Sequence, residues 1–348
     1  MITADVALAP PTPWTLRLFA RAPVSPFWVG LAIGAAWFAF YLLYTAVLCD
    51  GPGQVAELSG RTWPSELVWS LIIGMAPAVT AASMRGSLRD LEDLGPALDA
   101  SPAELTALRR RIVTVPPKIV TLTGLVTAAG TILLMLNNEN PWVAGHRPDF
   151  THPALIWFVG RNAVNWWLIS RAVVIEVSLA RAFSQLGTRL PAVDLLDHTS
   201  LAPFGRRGLR SVLLWMLYLS LFSLQYIMGR AEPILGLGLV FVIGIALAAF
   251  LLPVWGAHLR LRDAKAAELT RVRERLVDVR NRTLAAPADE MAGGRLADLV
   301  AWEQRISNVR EWPFGGSTLL RFALYTAIGL GSWLGAAFVE RLLERALS

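Results

Sequence analysis

Cysteine, lysine and charge are all scarce in this 348-residue chain. Cys49 is its single cysteine, which excludes an intramolecular disulfide and any multi-cysteine metal site. Lysine occurs only at Lys118 and Lys265 among 32 basic residues. The remainder is arginine, and with so much Ala, Gly and Pro this is the composition expected from a GC-rich bacterial genome. Charged residues make up 17% of the chain and hydrophobic residues 55%, respectively below and above the shares usual in soluble domains. A water-soluble globule has no use for that excess. There is no HExxH, no GxSxG and no glycine-rich phosphate loop, so neither enzymatic activity nor a cofactor is expected. His146 and His152 share a loop with Glu139 and Asp149, a pattern that reads first as exposed polar residues, and no metal site is assigned. His198 has no nucleophile beside it in sequence, and His258 no ATP-binding domain downstream.

What is present is a series of apolar runs. With a mean hydropathy of +0.49, the chain carries stretches of about 20 residues, matching a ~30 Å hydrocarbon core at 1.5 Å per residue. Six are free of charge: 27–49, 67–84, 119–138, 211–229, 234–257 and 322–339. A seventh, 154–175, contains Arg161 and Arg171 around the Trp166-Trp167 pair. The expectation is an all-α polytopic membrane protein with about seven transmembrane helices, N-terminus in and C-terminus out. The first apolar run follows only Arg17 and Arg21 and lacks a small-residue cleavage site, so it is expected to stay as a helix.

Basic residues test that topology. Seven spans place 25 Lys and Arg on the inner side and five on the outer side, with Arg161 and Arg171 inside the fourth span. That is the asymmetry of the positive-inside rule. It accounts for the net charge of +6 without a nucleic-acid partner. The expected setting is a bacterial inner membrane, with the bilayer as the first partner.

The domain layout follows: a cytoplasmic segment at 1–26; a six-helix membrane region at 27–257 with a small cytoplasmic helical segment at 85–118; a cytoplasmic helical hairpin at 258–313; and a seventh helix with a short outer tail at 314–348. Ser101-Pro-Ala-Glu104 has the form of a capping box with Pro at the first helical position. In the hairpin, Leu269, Val272, Leu276 and Val279 recur at helical spacing, and Leu299, Trp302, Ile306 and Val309 do so after a Pro287/Gly293/Gly294 break. Two such stripes can pair with each other, coiled-coil fashion, or with another subunit. No residue after Pro253 and Gly256 stops a helix before Pro287.

Function has to show inside the membrane. At 100° per residue, Arg161, Asn162, Asn165 and Glu176 fall within a wedge of about 100° on the fourth helix, with Arg171 off it. Intramembrane ionisable residues line pathways or pair inside the bundle. The plainer reading has Arg161 and Arg171 snorkelling to the two interfaces and Glu176 at the inner boundary. Ala323, Ala327, Gly331 and Gly335 form a small-residue row on the last helix, suited to close packing within the bundle or against another copy. Pro77, near the middle of the second span, and Pro313, before the last, are hinge candidates. Thr123, Thr127 and Thr131 share one face of the third span.

Seven helices with an inner hairpin before a final small-residue span is similar in layout to the insect-chemoreceptor-like ligand-gated channels; no signature residues accompany that layout. The expected function is an ion or small-solute channel or transporter component, alone or as a homo-oligomer. The alternative is a non-conducting sensor or scaffold that recruits a cytoplasmic protein through its hairpin.

Overall fold

The computed structural model describes residues 17–19, 22–58, 64–136, 152–191, 193–197, 199–227, 233–285, 290–329 and 331. Among these the chain is helical, with no strand. The helices are α1 (Pro26–Leu48), the short α2 (Gly53–Leu58), α3 (Ser65–Leu94), α4 (Pro102–Val113), α5 (Pro117–Leu136), α6 (Pro153–Thr188), α7 (Ala202–Ile227), α8 (Pro233–Ala285) and α9 (Glu290–Ser307). A further helix, α10, begins at 316 and is described to 329.

Five stretches are long and apolar enough to cross a bilayer: Pro26–Leu48, Ser65–Leu94, Pro102–Met135, Pro153–Thr188 and Ile243–Arg282. The expected spans at 211–229 and 322–339 are not among them, and each runs into residues outside the described set. The loop carrying His146, Asp149 and Glu139 lies outside it too.

The ends of these helices follow local rules. Pro sits in the first turn of α1, α4 and α6, where its missing N–H is no loss. The capping box of α4 forms: Glu104 N–H donates to Ser101 Oγ at 3.3 Å, and Ser101 N–H donates to Glu104 Oε2 at 2.8 Å. α3 runs unbroken through Pro77, and α8 runs unbroken through Pro253, reaching 53 residues. α8 therefore continues from an apolar stretch straight into one arm of the hairpin.

α3 is the enclosed helix of the bundle, packing on α1, α6 and α7. Its crossing with α1 is glycine on glycine. A Cβ on Gly74 would overlap the Gly30 carbonyl oxygen and stand 2.6 Å from the Gly34 amide nitrogen. Gly30 and Gly34 are a GxxxG pair, and their lack of side chains lets the two backbones touch. α6 and α8 cross the same way at Gly187 and Gly256. The outward faces of α1 and α5 are apolar and exposed, including Trp28, Leu43 and Val47 on α1 and Leu122, Val126 and Leu133 on α5. A continuous apolar exterior of this kind suits lipid, not water.

At one end of the bundle, Trp157 of α6 is surrounded by Trp37, Phe40, Tyr41 and Tyr44 of α1, with ring centroids 5.2–5.7 Å away. At the other end the hairpin closes on itself. Val272 and Ile306 are buried, Arg273 pairs with Glu303 at 2.7 Å, and Lys265 Nζ donates to the Val309 carbonyl at 2.9 Å. Pro313, the hinge candidate, is buried in a packed corner. Its neighbour Trp312 stacks on His258 with centroids 4.0 Å apart, and His258 Nδ1 lies 2.9 Å from the Glu311 carbonyl oxygen.

Candidate functional site: a polar file between α3, α6 and α7

Three helices contribute buried polar groups to one seam. α6 supplies Arg161, Asn162, Asn165 and Glu176, the wedge expected from helical periodicity, and all four are buried. α3 supplies Glu66, Thr80 and Asp90, and α7 supplies Arg207, Ser211 and Tyr218, buried as well; Ser70, Ser83 and Ser87 of α3 are also buried.

Near the aromatic end, Arg161 forms an ion pair with Glu66; the two side chains are 2% and 1% exposed. The second oxygen of Glu66 accepts the Trp157 indole N–H at 3.3 Å. The guanidinium carbon of Arg161 lies 5.0 Å from the ring centroids of both Trp69 and Phe158, within cation–π range. The snorkelling reading of Arg161 is thus corrected. The side chain turns into the bundle because a carboxylate and two aromatic faces compensate its desolvation better than a reach to the interface would.

One turn further along α6, Asn165 Oδ1 accepts the Tyr218 hydroxyl at 3.3 Å, while its Nδ2 has no protein partner. Asn162 turns its amide to the Phe158 carbonyl at 2.8 Å. Beyond Tyr218 a cavity of about 20 Å³ opens, lined by Thr80, Tyr218 and Glu176 among apolar side chains including Ala76, Ile169 and Trp215. About 10–15 Å³ of such space holds one water. The cavity's α3 wall lies just past Pro77, and Thr80 Oγ1 bonds back to the Pro77 carbonyl at 2.9 Å.

At the far end of the cavity, Glu176 Oε2 accepts Arg207 Nη2 at 2.8 Å and Ser211 Oγ at 3.1 Å. Arg207 also donates to Ser211. Glu176 Oε1 is buried with no protein partner. Glu176 is 4% exposed and Arg207 is 0% exposed, so the pair is enclosed by protein. At a comparable height on α7, Arg210 pairs with the buried Asp90 at 2.8 Å, and the exposed Arg206 bridges Asp90, at 3.3 Å, and Asp93. Gly86 makes room for this, since a Cβ there would overlap the Arg210 guanidinium. Along α6 the Arg161 and Glu176 positions are 15 residues apart, about 22 Å.

Arg171, off the wedge, stays off the file. It is buried, with its guanidinium carbon 4.6 Å from the Trp167 ring centroid, and Gly124 of α5 leaves the space that ring occupies. Thr127 of α5 donates to Ser170 Oγ at 2.9 Å, an interhelical bond rather than part of a lining.

Over its described part, the small-residue row on α10 is exposed among the described residues. Ala323, Ala327 and Gly331 are exposed, and a Cβ on Gly331 would meet nothing within 4 Å. Gly335 lies outside the described residues. Among the described glycines of that helix, Gly329 packs against Met216.

The members that α3 and α7 contribute were not expected, the charged Glu66 and Arg207 among them. Glu66 stands one residue before an apolar run and Arg207 four residues before another, so both read as flanking charges. The available signal was depth: an arginine buried one or two turns into α6 needs a carboxylate at the same height. Among the described residues no group of three or more His, Cys, Asp or Glu stands together as a metal site would require. No protein-family model, no curated protein and no solved structure matches the chain.

Proposed function

We propose that this chain is an integral protein of a bacterial inner membrane and conducts or transports an ion along the polar file. The observation that carries the reading is the pair of buried carboxylate–arginine contacts, Glu66–Arg161 and Glu176–Arg207, at the two ends of a seam that contains a water-sized cavity. Each pair taken into hydrocarbon costs several kcal/mol of desolvation, so packing alone would be served better by apolar residues. Their spacing of about 22 Å is most of a hydrocarbon core. The charges buried along the file favour an ion over an uncharged solute. The arginine-rich end with the hairpin faces the cytoplasm in this reading, as the charge asymmetry favours.

The test is flux in liposomes holding the purified protein, with entrapped indicators for H⁺, K⁺, Na⁺ and Cl⁻. Wild type moves at least one ion above protein-free vesicles, and Arg161→Leu alters that flux. If wild type moves none of the four, the reading fails.

A second reading has its own observation. The outer part of the hairpin leaves Val277, Leu284 and Val300 exposed, which suits a scaffold that holds a cytoplasmic protein on this arm. Cross-linking in intact cells through a photoreactive residue at position 284 captures a specific partner if so, and only lipid or solvent adducts if not.

A further inference from the structure

We propose that the ion is the proton and that Glu176 is the group that carries it; this rests on the conducting reading above. Glu176 divides its two oxygens between two tasks. Oε2 is occupied by Arg207 and Ser211, while Oε1 is buried, has no protein partner, and belongs to a side chain that lines the cavity. A proton can therefore be added at Oε1 without displacing the donors at Oε2.

The cavity selects for this charge carrier. A dehydrated metal cation needs about six oxygen ligands, and the polar side chains of the wall are Glu176, Thr80 and Tyr218. Those three side chains offer four oxygens in all, short of that number. A hydrated cation is larger than the space. One or two waters fit, and a proton passes through water and hydroxyls by exchange of bonds, with no larger opening. In the step, an excess proton arrives on a cavity water as hydronium and passes to Glu176 Oε1, leaving neutral water behind; the carboxylate becomes the neutral acid, and Arg207 keeps its own proton. The site gains one positive charge, and returning the proton to water on the other side restores it.

α3 offers the continuation. Thr80, Ser83, Ser87 and Asp90 follow one another at steps of three, four and three residues, all at most 3% exposed. Ser83 Oγ is buried without a protein partner, and each hydroxyl can both accept and donate. The series ends at Asp90, whose other partners include the exposed Arg206.

The experiment uses the full chain in liposomes with an internal pH indicator and a potassium diffusion potential set by valinomycin, alongside matched vesicles reporting Na⁺, K⁺ and Cl⁻ flux. Wild type shows potential-driven proton entry. Glu176→Gln lowers it by about a hundredfold, the order of a lost proton-transfer group, and Ser83→Ala lowers it several-fold. Because Glu176→Gln leaves Arg207 buried and unpaired, the double variant Glu176→Gln/Arg207→Gln removes both charges and keeps the assignment testable if the single variant fails to fold. Proton entry unchanged in a folded variant lacking Glu176 overturns the assignment. Flux of Na⁺, K⁺ or Cl⁻ without proton flux overturns it and leaves the broader function standing. No flux of any ion removes both.

Discussion

Glu176 grips Arg207 with one carboxylate oxygen, at 2.8 Å, and leaves the other buried beside a water-sized cavity. Glu66, at the opposite end of the file, has both oxygens engaged, by Arg161 and by the Trp157 indole. The two ion pairs are therefore not equivalent. One has a buried acceptor with no protein partner, and the other is closed by three aromatic neighbours and a guanidinium.

The closed pair is expected to act on stability before it acts on flux. Glu66→Gln removes the carboxylate charge that faces the buried Arg161, and breaking a buried pair from one side costs about 3–5 kcal/mol. Thermal unfolding in detergent reads this as a clear fall in Tm. The double variant Glu66→Leu/Arg161→Met removes both charges at similar volume and unfolds close to wild type. A double variant no more stable than Glu66→Gln would show that the pair is not a self-contained unit.

The glycines separate packing helices from an exposed face. Gly74→Ala puts a methyl group into the α1 backbone at Gly30 and Gly34, an overpacking that costs about 1–3 kcal/mol. Gly331→Ala meets nothing within 4 Å and leaves the unfolding temperature of the detergent-solubilised chain unchanged. Equal effects from the two substitutions would contradict this division.

The capping box of α4 sets a pH dependence. Hydrogen bonds from the Ser101 hydroxyl and backbone N–H hold the Glu104 carboxyl below its ordinary value. A carboxyl depressed on folding stabilises the helix fully above the unfolded value of about 4.3 and loses that contribution as pH falls through the folded one. Amide exchange in residues 103–106 is expected to speed up toward acid beyond its intrinsic pH dependence. Ser101→Ala removes the hydroxyl's share and weakens the effect, since the backbone N–H of residue 101 still reaches the carboxylate. The same acid-side change in Ser101→Ala would assign it elsewhere.

Much of this arrangement was legible in the amino-acid order, and what was not has physical reasons. Helical periodicity alone places Arg161, Asn162, Asn165 and Glu176 on one face, because a 100° turn per residue holds whatever surrounds the helix. The capping box is local, so Ser101 and Glu104 predict it directly, and the continuation of α8 beyond Gly256 into the hairpin follows from the lack of any breaker before Pro287. Partners are another matter. Glu66 and Arg207 sit beside apolar runs, where a charge at the interface and a charge turned inward leave the same trace in sequence. The Gly30/Gly34/Gly74 crossing needs two distant segments at once, whereas the row from Ala323 to Gly335 is conspicuous within one helix yet is exposed over its described part. Depth along neighbouring helices, not pattern within one, carries the missing information.

The hairpin yields the last prediction. Its two apolar stripes could pair within one chain or between chains, and the periodicity of Leu269 to Val279 and Leu299 to Val309 is the same in either case. The fold pairs them within one chain at the base, through Val272, Ile306, the Arg273–Glu303 bridge and the Lys265–Val309 bond. The single native cysteine makes this directly measurable. In a Cys49→Ser background, Arg273→Cys and Glu303→Cys are introduced together and treated with a short bismaleimide in native membranes. The expected product migrates as a monomer, and protease cleavage between 286 and 289 fails to separate the two fragments. As a control, Arg273→Cys alone and Glu303→Cys alone, mixed on separate chains, give no dimer. A dimer from the mixed single variants, with free fragments from the double variant, would place the contact between chains, and the buried Ile306 would then mark a subunit interface rather than the interior of one arm.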